Sequence, residues 1–157
     1  MIKGIVIKDT KTGYFTDLRD VFITLGDRFI NYNWLFSYYE TTDSHDLIPF
    51  ESDYAWLEGK AMYELALEHK MQVIWGVLTA YKQEISKEQV LAYPLPRADG
   101  NAKIWTNPLE FQNPLSEIEI IPWDASLLVV KSLDQDIIKS FKEAYPISQD
   151  LEEYNDE

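Results

Sequence analysis

Hydrophobic and polar positions alternate most cleanly over residues 30–39. There Ile30, Tyr32, Trp34, Phe36 and Tyr38 take turns with Asn31, Asn33, Leu35, Ser37 and Tyr39. A period of two predicts a half-buried strand with an aromatic inner face. Elsewhere the spacing is that of a helix. Leu18, Val21, Phe22 and Leu25 fall at i, i+3, i+4 and i+7, with Thr16 or Asp17 placed to cap the start and Gly26 to stop the end. Leu57, Ala61 and Leu65, widened by Met62 and Ala66, predict a second helix over residues 56–69. Ile137, Ile138, Phe141 and Tyr145 give a last helix that must end before Pro146, with Ser132 and Gln135 in a capping-box pattern.

Three further apolar runs read as strands. Residues 3–8 carry Ile5, Val6 and Ile7. Residues 73–81 (VIWGVLTAY) read as a central strand covered on both faces, and Gly76 within them marks a bulge or a close backbone approach. EIEIIP and SLLVVK, joined through Trp123, Asp124 and Ala125, form the clearest hairpin, with Pro122 calling for an edge position or a bulge. Ser86 and Gln89 start a short helix, and residues 103–106 read as a short strand within a loop-rich stretch from Pro94 to Pro114. Strands and helices mix without strict βαβ alternation. The expected fold is α+β: a mixed or largely antiparallel sheet with helices packed on one face. Residues 1–146 are expected to form one globular domain, and residues 147–157 a frayed acidic tail.

Composition supports a packed domain and narrows its chemistry. Apolar residues make up 46% of the 157-residue chain and aromatics 14%, which argues against global disorder. With no cysteine, disulfides, zinc–thiolate sites and cysteine nucleophiles are excluded. The first residues lack the apolar run of a signal peptide, and no stretch approaches the ~18 apolar residues that span a bilayer. A soluble cytoplasmic protein is expected. Asp and Glu number 27 against 14 Lys and Arg, a formal charge of -13. Such a field attracts basic partners and repels nucleic acid and anionic membrane.

The acids are unevenly placed. Between Arg28 and Lys60 there is no Lys or Arg, while Glu40, Asp43, Asp46, Glu51, Asp53 and Glu58 share the window with Tyr38, Tyr39, Phe50, Tyr54 and Trp56. Carboxylates pair with partner Arg and Lys, and aromatics supply buried anchors. The candidate binding face is therefore Tyr38, Tyr39, Asp43, Asp46, Glu51, Asp53, Tyr54 and Trp56. Trp34, Trp75 and Trp123 read as core, whereas Trp56 and Trp105 read as interface residues.

Catalytic material is sparse. His45 lies between Asp43 and Asp46, an arrangement open to metal binding or general-base chemistry and equally to turn capping; His69 reads as a helix-end cap. Glu117 and Glu119 share one strand face, and both are expected on the wet side of the hairpin. No phosphate-cradling glycine loop, nucleophile elbow or HExxH pattern occurs. No cofactor is expected.

YNWLFSYYE, VIWGVLTAY, ADG at residues 98–100, EIEIIPWDASLLVV and PISQDLEEYN occur in this order. Together they resemble a family of small acidic bacterial proteins of uncharacterised function, over most of the chain. Size, charge and aromatic content are also similar to those of the acidic immunity proteins that accompany bacterial toxins. That likeness implies a non-enzymatic protein holding a basic partner such as a nuclease toxin. The alternatives are a carboxylate- or metal-assisted hydrolase built on Asp43, His45 and Asp46, and a housekeeping interaction domain.

Overall fold

The computed structural model describes residues 1–8, 17–41, 53–68 and 72–157. Strands β1 (Lys3–Ile7), β2 (Tyr32–Thr41), β3 (Tyr54–Glu58), β4 (Val73–Lys82), β5 (Ile118–Trp123), β6 (Leu127–Ser132) and β7 (Gln149–Asp150) form one sheet in the order β3-β2-β4-β5-β6-β1-β7. Every neighbouring pair is antiparallel. Helices α1 (Leu18–Leu25), α2 (Gly59–Glu68) and α4 (Gln135–Ala144) pack on one face, while the shorter α3 (Lys87–Leu91) and α5 (Leu151–Asn155) lie on the other. The fold is thus the α+β, single-sheet architecture that the patterning implies.

The helix-covered core follows the periodicities closely. Leu18, Val21, Phe22 and Leu25 are all buried, Asp17 caps α1 through the Arg19 N–H, and Gly26 ends it at φ 67°. Phe22 meets Phe29 and Trp34 edge-on, at 4.6 and 5.3 Å between ring centres. Trp34 can be fully buried because its indole N–H donates to the Phe29 carbonyl at 3.1 Å. In the hairpin, Asp124 and Ala125 take φ of 49° and 52°, the left-handed pair of a primed turn, and the Ser126 N–H closes it on the Trp123 carbonyl. Pro122 falls beyond the last pair between β4 and β5, where its missing N–H disturbs neither partner.

Four local expectations are overturned. Residues 54–58 are a strand, not the start of a helix: Ala55 and Leu57 face the core while Tyr54 and Trp56 face away. The chain then turns directly into α2 at Gly59, where any side chain would run into the backbone carbonyls of Ile30 and Tyr32. The four-residue spacing from Leu57 to Ala61 joins two elements and only imitates one helix. Residues 102–105 are a 3-10 turn, not a strand, because the Asn101 side chain accepts the Lys103 N–H and buries Ile104. The cap of α4 is Asp134, whose carboxylate accepts the Asp136 N–H, while the Ser132 hydroxyl stays in the preceding turn, accepting the Asp134 N–H. Finally, residues 149–155 do not fray. Gln149 and Asp150 pair with Val6 and Ile5, and Leu151 is fully buried over Gly4.

The second sheet face differs most from expectation. Leu35 and Ser37, the outward residues of β2, are buried, so this strand is covered on both sides. Residues 83–116 lie across them: Val90 and Leu95 pack with Leu35 and Tyr81, and the Ser37 hydroxyl donates to the Pro96 carbonyl at 2.7 Å. Glu119, expected in water, is fully buried. It sits directly across from Lys131, and the two are bonded at 3.1 Å. Its second carboxylate oxygen accepts the Gln112 N–H at 2.9 Å, and Lys131 also donates to the Glu110 carbonyl at 3.0 Å. A buried charge needs such partners. Glu117 remains partly exposed beside Lys82.

Candidate functional site

The far end of β2 departs from a regular strand. Its register with β4 is constant from Tyr32 to Ser37 and then shifts at Glu40 and again at Thr41. The extra length is taken up at Tyr38, which adopts φ 45° and donates its N–H to the Asp53 carbonyl at 2.8 Å. Bulges of this kind re-aim side chains. Gly76 on the facing strand makes room for it: a side chain there would begin 2.7 Å from the Phe36 ring and 3.5 Å from Tyr39. Phe36 and Tyr39 in turn pack ring against ring at 5.0 Å.

This bulge forms one wall of a cleft of about 340 Å³ lined by Tyr38, Tyr39, Glu40, Asp53, Trp75, Arg97 and Asp99. Arg97 lies over the Tyr38 ring, its guanidinium carbon 4.2 Å from the ring centre. Three carboxylates against one guanidinium give the cleft a formal charge of about -2 at neutral pH. Glu40, Asp53 and Asp99 are exposed and make the rim. Burial pushes the Tyr39 hydroxyl up to about 12, reinforced by the Asp53 charge. Tyr39 therefore stays neutral at neutral pH.

From Trp75 an aromatic row leads away over the second face. Trp75 meets Trp123 at 4.9 Å, Trp123 meets Trp105 at 5.2 Å, Trp105 meets Tyr154 at 5.6 Å, and the Lys8 ammonium sits 4.7 Å over Tyr154. All four rings are half-buried. Trp75 and Trp123, read from sequence as core, thus share one array with Trp105.

Of the sequence-selected face, the cleft brings together Tyr38, Tyr39 and Asp53. Tyr54 and Trp56 lie instead against the cluster beneath α3, with the Lys87 ammonium 5.6 Å over the Tyr54 ring and Trp56 tilted on Tyr81 at 5.8 Å. Asp43, Asp46 and Glu51 fall outside the described residues, as do His45 and His69. Among the described residues no group of His, Asp and Glu is arranged to hold a metal ion, and no helix is long and apolar enough to cross a membrane. The chain matches no protein-family model, no curated protein and no solved structure. Sequence reasoning missed Trp75, Arg97 and Asp99 as site residues. They arrive from β4 and from the loop around Ala98, and no local pattern links either segment to β2.

Proposed function

We infer that the chain is a non-enzymatic acidic binding protein of the immunity or antitoxin type, holding a basic protein partner at the Tyr38–Asp53–Asp99 cleft. The observation that carries this reading is Arg97 on Tyr38. The cleft already holds one guanidinium on an aromatic face, and the carboxylates of its rim are the further feature a partner arginine would use. Two carboxylates remain in excess, and the chain's charge of -13 draws a basic partner towards them. The half-buried tryptophans beside the cleft supply apolar anchor area of the kind that dominates protein interfaces.

An oligo-arginine peptide, titrated in at low salt and followed by NMR, tests the site directly, whichever basic protein occupies it. Saturable shifts centred on Tyr38, Tyr39 and Trp75 are expected, and Glu40→Lys with Asp99→Lys should weaken them about tenfold or more. Both substituted residues are exposed, so the fold survives the change. Shifts confined to the acidic residues of α5, or indifferent to the double substitution, refute the assignment. With the native partner in hand, the same double variant should slow association and flatten its salt dependence.

A further inference from the structure

A second cleft, of about 590 Å³, opens between residues 94–112 and the sheet, and its lining includes Ile104, Phe111, Gln112 and Lys131. It lies across the 97–101 segment from the first: the Arg97 N–H donates to the Gln112 side-chain oxygen at 2.7 Å, and the Arg97 carbonyl accepts from Asn101 at 3.0 Å. Its volume falls in the range of small-molecule sites.

Two hydrogen-bond donors there are left over. The Gln112 amide nitrogen is buried with no partner among the described residues. Lys131 is 2% exposed and gives two of its three ammonium protons, to Glu119 and to the Glu110 carbonyl. Both residues grip the same buried carboxylate, Gln112 through its backbone N–H on one oxygen and Lys131 on the other. The leftover donors therefore belong to one constellation at the cleft. Buried donors without acceptors are rare and cost stability, so this pair calls for an acceptor from outside the chain.

The charges select its class. Glu119 already balances Lys131, the Glu110 side chain lines the same cleft, and the chain is strongly negative, so an anion is opposed. A cation would meet Lys103 and would offer no acceptor to the two leftover donors. Ile104, Phe111, Pro94 and Pro108 supply apolar wall. We propose that this cleft binds a small uncharged molecule that presents a carbonyl oxygen to Gln112 and Lys131 and an aromatic or alkyl group to Phe111 and Ile104.

Benzamide is the probe, with benzoate and benzylamine as its anionic and cationic counterparts, each titrated into the full chain and read by NMR. Benzamide should give a saturable shift of the Gln112 side-chain amide together with Ile104 and Phe111, and the two charged analogues should not. Gln112→Met should weaken benzamide about tenfold, the worth of one hydrogen bond to a neutral acceptor. Because that change also removes the acceptor for the Arg97 N–H, Thr106→Trp at the exposed rim serves as an independent variant, and it should abolish the shift by filling the mouth. The proposal is overturned if benzamide gives no saturable shift, which would leave water as the only acceptor. Tighter binding of benzoate or benzylamine, or a benzamide shift indifferent to both variants, overturns it equally.

Discussion

On the helix-covered face of the sheet, Trp34, Phe36, Leu78, Ile120 and Val130 meet α1, α2 and α4 without a single buried charge among the described residues. The opposite face buries Glu119 and Lys131 in the middle of the sheet, beside Thr79, which accepts a hydrogen bond from Tyr81 at 2.9 Å. The difference lies in what covers each side. Amphipathic helices present continuous apolar stripes and satisfy their own backbone, so the sheet beneath them needs no charge, and its buried Ser132 hydroxyl serves the turn into α4. An irregular segment such as residues 83–116 brings unpaired backbone groups, and the sheet must meet them with polar side chains. Glu119 accepts the Gln112 N–H, Lys131 donates to the Glu110 carbonyl and Ser37 to the Pro96 carbonyl. The ion pair is the price of a loop-covered face, and both clefts open on that side.

The sharpest way to break this comparison is to remove half of the pair. Lys131→Met leaves the Glu119 carboxylate buried and uncompensated, a loss of about 3–5 kcal/mol in denaturant unfolding. Phe22→Ala on the helix face should cost a similar ~3–5 kcal/mol, for the different reason of a cavity. The two are separated by rescue. Glu119→Leu combined with Lys131→Met should recover only the part of the loss due to the uncompensated charge, because the Gln112 N–H and the Glu110 carbonyl stay without their partners. No second change nearby restores Phe22→Ala. A double variant as unstable as Lys131→Met alone would show that the loss comes from the unpartnered loop backbone and that the buried charge adds nothing to it.

The same contrast explains what was legible in the sequence. α1 and α4, β1, β4, the hairpin and the Ser86 capping box all follow from residue spacing, since each lies on or beside an apolar stripe and its signal is local. Glu119 could not be placed that way. Alternation separates the two faces of a strand, but it does not tell whether water or a loop covers the polar one. The cleft was half legible for the same reason. Tyr38, Tyr39 and Asp53 stand close together in the chain, whereas Arg97 and Trp75 join them only through a bulge and a long connection. The end of the chain misled because its charge outweighed a few residues: Leu151 and Tyr154, set among acids, dock α5.

That docking gives a smaller and more local test. A side chain at Gly4 would begin 2.9 Å from a Leu151 methyl and 3.1 Å from a Leu109 methyl. The methyls can give, but the Leu151 Cβ at 3.2 Å is fixed to the α5 backbone, so Gly4→Ala should cost about 1–3 kcal/mol by pushing on α5. Its effect should be confined to the loop-covered face. Amide exchange in α5 and around Leu109 should quicken while α1, α2 and α4 stay protected. Exchange that rises equally on both faces would mean that the two coverings unfold as one unit, and the distinction drawn between them would fail.

The weakest effect concerns tyrosine, and it bears on both faces at once. Burial raises the hydroxyls of Tyr81 on the loop side and Tyr145 on the helix side, and it raises Tyr39 from 10.0 to about 12. A group whose folded pKa lies above its unfolded value holds its proton more tightly in the fold. The stability it contributes is complete below pH 10.0 and is lost as the pH climbs through about 12. Unfolding free energy should therefore be level near pH 9 and fall beyond about pH 10, with phenolate absorbance rising late and together with unfolding. Tyr39→Phe removes one titrating group, so it should flatten part of that fall. Because Asp53 contributes to raising Tyr39, Asp53→Asn should bring the Tyr39 titration down and leave Tyr81 and Tyr145 where they are. If Asp53→Asn moves all three, the tyrosines report a common loosening of the fold, and the cleft is not an electrostatic environment of its own.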